Sequence, residues 1–145
     1  MSYVLTADGG TESLRVRIYA LDGTCVASHA ERYETKFLSG ARAEQNAEDW
    51  WFSLVKATNI CLKEANINGD AIDAMAYATT CCTVVALDKE GAPLRPALMW
   101  MDVRADKEAQ SVLETGDKRL VLNGNGQGPV SAEWMIPKAL WLKRN

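Results

Sequence analysis

The residues best equipped for chemistry stand at the start of the chain, in Tyr3-Val4-Leu5-Thr6-Ala7-Asp8-Gly9-Gly10-Thr11-Glu12-Ser13-Leu14-Arg15. Gly9 and Gly10 let backbone N–H groups approach an anion closely, and concave stretches of such backbone bind phosphate. Thr11 and Ser13 add hydroxyl donors, Arg15 adds a fixed positive charge, and Asp8 is of a type that orients a hydrated Mg²⁺ beside the anion. The alternative is an ordinary hairpin turn, which Gly-Gly between two apolar runs signals without any ligand.

The surrounding sequence must hold that turn in place. Tyr3–Ala7 is a continuous apolar run, as in a strand buried on both faces. From Leu14 to Leu21, apolar Leu14, Val16, Ile18 and Ala20 alternate with Arg15, Arg17 and Tyr19, which is strand periodicity; Asp22-Gly23 then turns the chain into a third strand over Thr24–Arg32. Tyr33–Gln45 lacks periodicity and reads as a loop. Asn46 is an N-cap with Asp49 three residues on, and Trp51, Leu54, Val55, Thr58, Leu62 and Ala65 at helical spacing predict an amphipathic helix over Asn46–Ala65. Asn68-Gly69 ends it, and Ile72–Thr79 returns as a strand whose Ala74, Ala76 and Ala78 leave one face open to close packing. Further on, Thr83–Leu87 and Leu98–Met101 read as the arms of a hairpin around Asp88-Lys89-Glu90-Gly91, with Pro93 and Pro96 in an irregular second arm. Val103–Thr115 has helical propensity, Gly116–Pro129 is a glycine-rich loop, and a last helix begins at Ser131 with Glu133 and runs through Trp141, bent or restarted by Pro137.

The chain has 145 residues, 48% apolar and 24% charged, with five Trp, which suits one folded domain and excludes disorder or low complexity. A net charge of −3 gives no support to nucleic-acid binding, so any anion site is local. No stretch approaches the ~20 apolar residues of a membrane span, and no basic segment followed by an apolar one opens the chain. A soluble cytoplasmic protein with neither nucleic acid nor membrane as partner is expected. Cys25, Cys61, Cys81 and Cys82 read as reduced thiols, because adjacent Cys81-Cys82 neither pair easily nor form a metal knuckle. His29 sits mid-strand with no nucleophile nearby, which argues against a catalytic triad.

The order β-β-β-α-β behind a phosphate-like hairpin resembles the ribonuclease-H-like actin, hexokinase and Hsp70 superfamily, an α/β class with a mixed sheet and flanking helices. Three more segments narrow the resemblance. Ala43-Glu44-Gln45-Asn46-Ala47-Glu48-Asp49-Trp50-Trp51 is similar to the acidic loop and Trp-led helix of FGGY carbohydrate kinases. Leu94-Arg95-Pro96-Ala97-Leu98-Met99-Trp100-Met101-Asp102-Val103-Arg104 is similar to their tryptophan–acid–arginine segment, and Pro137-Lys138-Ala139-Leu140-Trp141-Leu142 to their proline–lysine–leucine–tryptophan helix. Ala78-Thr79-Thr80-Cys81-Cys82-Thr83 resembles ribulokinase-like members more than glycerol kinases, whereas a xylulokinase-like member would carry Met-His in place of Cys81-Cys82.

That resemblance implies an incomplete N-terminal domain of an ATP-dependent sugar kinase, acting with Mg²⁺ on a ketopentose such as ribulose or xylulose, or on a related polyol. It puts Asp8, Gly9, Gly10, Thr11, Ser13 and Arg15 at the ATP phosphates, with Asp8 also toward the metal, and Cys81, Cys82, Trp100, Asp102, Glu133 and Lys138 at the sugar. Each sugar-side residue has a structural alternative: buried thiols for Cys81 and Cys82, a salt bridge with Arg104 for Asp102, a surface charge pair for Glu133 and Lys138. Trp50, Trp51, Trp134 and Trp141 are expected in packing, with Trp100 the candidate for stacking on sugar. The family's general base and its C-terminal ATP-binding domain are expected beyond Asn145, so the chain alone is expected to be inactive. A half-domain would expose apolar surface and is expected to self-associate, as a homodimer or as aggregates. A non-catalytic sugar-binding, nucleotide-binding or interaction module of kinase ancestry is the other reading.

Overall fold

The structure, a computed structural model, describes residues 2–122 and 130–145; of the glycine-rich loop expected over Gly116–Pro129, positions 123–129 lie outside the described residues. The chain forms two compact units, Met1–Thr35 with Asn46–Thr80 and Lys36–Gln45 with Cys81–Asn145.

In the first unit, β1 (Tyr3–Gly9), β2 (Ser13–Ala20), β3 (Cys25–Arg32) and β6 (Ile72–Thr79) form a sheet in the order β3-β2-β1-β6. β1 to β3 are antiparallel, as the two turn signals required, and β6 runs parallel to β1. Parallel strands need a long crossover, here made by α1 (Ala47–Ala65). Leu5 stands opposite Ile18, Ala7 opposite Val16 and Gly9 opposite Leu14, so the buried side chains of β1 and β2 share one face. Asp22 fixes the β2–β3 turn by accepting the Thr24 N–H at 2.9 Å, and Gly23 takes the φ of 88° that favours glycine.

The helix begins as its sequence requires. Asn46 accepts the Glu48 N–H at 3.3 Å and donates to Asp49 at 2.9 Å, while Asn66 closes the other end in the left-handed region. Its buried stripe, however, is Ser53, Ala57 and Cys61 rather than one centred on the large side chains. Small residues bring the helix axis close to β2 and β3, close enough for the Cys61 thiol to reach the Val16 carbonyl at 3.6 Å. Leu54, Leu62 and Ala65 flank that stripe, whereas Trp51 and Val55 are exposed. β6 is exposed from Asp73 to Thr79, so the alanine face reserved for close packing is bare in this chain.

In the second unit, the stretch expected to be a loop contains a hairpin, β4 (Lys36–Leu38) and β5 (Arg42–Gln45), followed across the sheet by β7 (Ala97–Leu98). Its tight turn uses Gly40 and Ala41, both at positive φ, a turn for which Ala is a poor sequence signal. Val84 bridges Leu98 and Leu87 bridges Pro93, the hairpin expected there in a minimal form. Helix α2 (Asp106–Glu114) is shorter than its propensity suggested, a 3₁₀ turn occupies Lys118–Leu122 inside the expected loop, and α3 (Met135–Arg144) packs against α2. Pro137 neither bends nor restarts α3: it lies in the first turn, where no helical carbonyl awaits its missing N–H. No helix among the described residues is long and apolar enough to cross a membrane.

Replacing Asn46 by Ala removes the cap of α1 and should lower stability by about 1 kcal/mol. A urea midpoint identical to that of the parent chain would show the cap to be without effect.

Candidate functional site

The candidate residues fall into one cluster in each unit. In the first, β1 continues through Gly9, and the turn is Gly10-Thr11-Glu12 rather than a two-residue Gly-Gly hairpin. Gly10 serves close approach, since a Cβ there would lie 3.3 Å from the Ser13 carbonyl oxygen that accepts the Gly10 N–H. Asp8 and Arg15 are direct cross-strand partners, with Arg15 Nη1 3.8 Å from Asp8 Oδ2. Both side chains are about half exposed, so the pair is energetically slight and either charge can meet a ligand. Ser13 and Arg15 alternate with buried Leu14, which puts them on the Asp8 face. One carboxylate suits Mg²⁺, a cation that keeps most of its waters and takes few protein ligands; no set of three His, Cys, Asp or Glu side chains is grouped for a metal among the described residues.

The sequence missed what lies behind this turn. Tyr33, read as the start of a loop, donates its hydroxyl to the Gly10 carbonyl at 2.5 Å and its N–H to the Glu12 carbonyl at 3.2 Å. Thr35 Oγ1 donates to the Thr11 carbonyl at 3.3 Å, and the Thr80 N–H to the Gly9 carbonyl at 3.2 Å. Contacts across more than 20 residues leave no periodic trace.

In the second unit, Asp102 is fully buried. Its Oδ2 accepts the Ala43 N–H at 2.7 Å and Arg104 Nη2 at 2.7 Å, while Oδ1 accepts the Arg104 N–H at 3.0 Å and Nε at 2.9 Å. Those donors take up the carboxylate's acceptor sites, so the salt-bridge alternative is the one realised and Asp102 has none left for a sugar hydroxyl. Arg104 also reaches Glu44 at 2.8 Å, and Arg95 reaches the same Glu44 oxygen at 2.7 Å. Both guanidiniums lie 5.0 Å from the ring centroid of Trp141. Burial opposes the Asp102 charge, but hydrogen bonds from Arg104 and Ala43 outweigh it and hold the carboxyl below its ordinary 3.8. Arg104 answers in kind: burial opposes its charge, and Asp102 with Glu44 raises its pKa all the same.

Lys138 is buried, not part of a surface pair. Its ammonium donates to the carbonyls of Cys82 at 3.1 Å, Met99 at 2.6 Å and Trp100 at 2.9 Å, which accounts for all three donors. Burial pushes its pKa down against the opposing charge of Asp102. Lys138 thereby ties the two segments that carry Cys82 and Trp100. Cys82 sits in the left-handed region at φ 62°, uncommon for a residue with a side chain, and its thiol is pushed up first by burial and then by Cys81. Cys81 is exposed, and both thiols are free. Trp100 is 38% exposed, and its backbone N–H donates to Thr83 Oγ1 at 3.1 Å. Glu133 lines a groove with Asp106, Gln110 and Ser131.

Asp102→Asn removes one charge of a buried pair and should cost the second unit on the order of 3–5 kcal/mol. Since the folded carboxyl titrates below its unfolded value, its contribution is complete above about pH 5 and is lost as pH falls below that unfolded value. The difference in denaturant midpoint between parent and variant should therefore shrink from about pH 7 to about pH 3; a constant difference would contradict it.

The chain as a whole is similar to known proteins. The chain is 27% identical to a xylulose kinase from Staphylococcus xylosus, over 100% of this chain and 29% of that enzyme. A ligand-bound xylulose kinase from Lactobacillus acidophilus superposes with a TM-score of 0.85 at 21% identity, covering 100% of this chain and 29% of that one. A Plasmodium falciparum glycerol kinase with ADP superposes at 0.82 with 22% identity, again over 100% of this chain and 29% of the other. These structural likenesses show the fold: the mixed sheet with flanking helices of the ribonuclease-H-like actin, hexokinase and Hsp70 type. The chain thus spans about 29% of the length of these curated relatives. A family model for the N-terminal domain of the FGGY family of carbohydrate kinases matches residues 3–145, and the chain belongs to that family.

Proposed function

We propose that this chain is the N-terminal part of an ATP-dependent sugar kinase whose complete form transfers the γ-phosphoryl group to a sugar hydroxyl. The observation that carries this reading is the β1–β2 turn, with Asp8 opposite Arg15 beside the Gly10-Thr11-Glu12 backbone. Phosphoryl transfer is catalysed mainly by positioning and neutralisation of charge. Arg15 supplies fixed charge to the ATP phosphates, the Thr11 and Ser13 hydroxyls supply donors, and Gly9 and Gly10 let the backbone come close. Asp8 holds hydrated Mg²⁺, which when bound neutralises phosphate charge. This chain spans about 29% of its relatives' length, and the base that takes the proton of the sugar hydroxyl and the domain that binds adenosine are assigned to the remainder of the complete enzyme.

The sugar is a ketopentose, ribulose or xylulose, or a related polyol. Support comes from two relatives named as xylulose kinases and from the second cluster. There Trp100 offers an exposed ring, the Cys81-Cys82 backbone offers polar groups in an unusual conformation, and Glu133 offers a half-buried carboxylate. Asp102 and Lys138 serve this site by fixing the backbone on which the others stand. The four unbridged thiols and the acidic net charge suit the cytoplasm.

A panel of sugars screened by ATP consumption, with the longer polypeptide that carries this domain, should single out a ketopentose; activity on none of them would overturn the reading. Arg15→Ala in that enzyme should raise the KM for ATP by about ten-fold. An unchanged KM would remove Arg15 from the phosphate site. The 145-residue chain alone should show no sugar-dependent ATP turnover. With Trp51, Phe52 and Val55 exposed together on α1, it should also self-associate in solution, and light scattering from a clean monomer would refute that.

A further inference from the structure

Donors from the ends of β6 and β3 hold the β1–β2 turn. Four consecutive carbonyls, those of Gly9, Gly10, Thr11 and Glu12, accept hydrogen bonds from Thr80 N–H, Tyr33 hydroxyl, Thr35 hydroxyl and Tyr33 N–H in that order. Three of these donors come from one short segment, Tyr33 to Thr35, that leaves the end of β3. Every peptide bond here is trans, and in a planar trans peptide the C=O of one residue and the N–H of the next point opposite ways. Holding the carbonyls of Gly10, Thr11 and Glu12 against the Tyr33–Thr35 segment therefore turns the N–H groups of Thr11, Glu12 and Ser13 away from it. A row of N–H groups facing one way is the backbone arrangement that binds anions.

We infer that Tyr33, with Thr35 beside it, is a positioning residue for phosphate: its hydroxyl holds the Gly10 peptide in the one orientation that presents the Thr11–Ser13 amides to a bound nucleotide. This deepens the phosphate-site reading above and rests on it. The role requires the phenol rather than an aromatic ring as such, because the ring alone fills space whereas the hydroxyl makes the bond. Tyr33 is packed against the core of Leu5, Leu14 and Val16, so its ring is held while its oxygen reaches the turn. Burial, with the charges of Tyr77 and Asp8, pushes the phenol up to about 12, and the hydroxyl stays a donor throughout the physiological range. A chain without this strap would leave a Gly-rich turn free to rotate its peptides, and an anion would have to order them on binding.

The test is titration of the 145-residue chain with ATP and Mg²⁺, followed by the backbone amide shifts of Thr11, Glu12 and Ser13, for the parent, Tyr33→Phe and Thr35→Val, with adenosine as the control ligand. The parent should show saturable shifts with ATP and none with adenosine. Tyr33→Phe should weaken binding about five- to ten-fold, the range expected for one lost hydrogen bond, and Thr35→Val about three-fold. The resonances of β3 and α1 should stay where they are in both variants, which separates orientation of the turn from loss of fold. If the parent and Tyr33→Phe bind ATP equally, the positioning role is overturned while the phosphate site stands. If the parent shows no shifts at Thr11–Ser13, the phosphate site itself fails in this chain and the role with it. Should Tyr33→Phe not fold, Thr35→Val decides alone, and unaltered affinity in that variant overturns the inference.

Discussion

Register between β1 and β2 is the constraint on which the first unit depends. Leu5 opposite Ile18, Ala7 opposite Val16 and Gly9 opposite Leu14 commit one face of the pair to the core. Because side chains alternate, Thr6, Asp8, Ser13, Arg15 and Arg17 are then committed to the other face. A slip of one residue would bury Arg15 and expose Leu14, at the cost of a charge in the core and of the apolar area that α1 covers. The hydrophobic driving force that folds the unit is thus also what aims its polar residues. Small side chains on α1 complete the arrangement: Ala57 and Cys61 let the helix lie close on β2, where bulkier residues would hold it off.

The second unit is organised by charge instead. Asp102, Arg104, Glu44 and Arg95 form a chain of ion pairs around the Trp141 ring, and Lys138 binds three backbone carbonyls. Removing such charges from water is costly, and only full hydrogen bonding in good geometry offsets it. Asp102 and Lys138 meet that condition with several partners each. Their gain is geometric: carbonyls from Cys82, Met99 and Trp100 converge on one ammonium, fixing two segments that a short β-bridge alone would hold weakly. Polar residues that look like ligands in the sequence can serve a site by building it.

Much of the fold was legible because it follows local rules. The alternation in β2, the Asp22-Gly23 turn and the Asn46 cap each act within a few residues, and all three stand in the structure. Sequence and structure part where a long-range contact outweighs a local rule. The β4–β5 hairpin was hidden by a Gly40-Ala41 turn and strands of three and four residues, too short for periodicity to register. Large apolar side chains dominate a helical stripe and point to a face with Trp51 and Val55 beside Leu54, Leu62 and Ala65; the sheet takes the last three but centres on small Ser53, Ala57 and Cys61 and leaves Trp51 and Val55 exposed.

By itself the sequence determined which residue types were available for binding phosphate and sugar and, through turn and periodicity signals, that they would be carried on a β-β-β-α-β framework. It also carried the motifs by which the chain is recognised as an FGGY family member. Tertiary structure decided how those residues are employed. It tied Asp102 to Arg104 and Ala43, took all three donors of Lys138, and set Tyr33 against the carbonyl of Gly10. The physical reason is that a side chain's donors and acceptors are counted only once their partners are known, and these partners lie from 2 to 59 residues away in the chain.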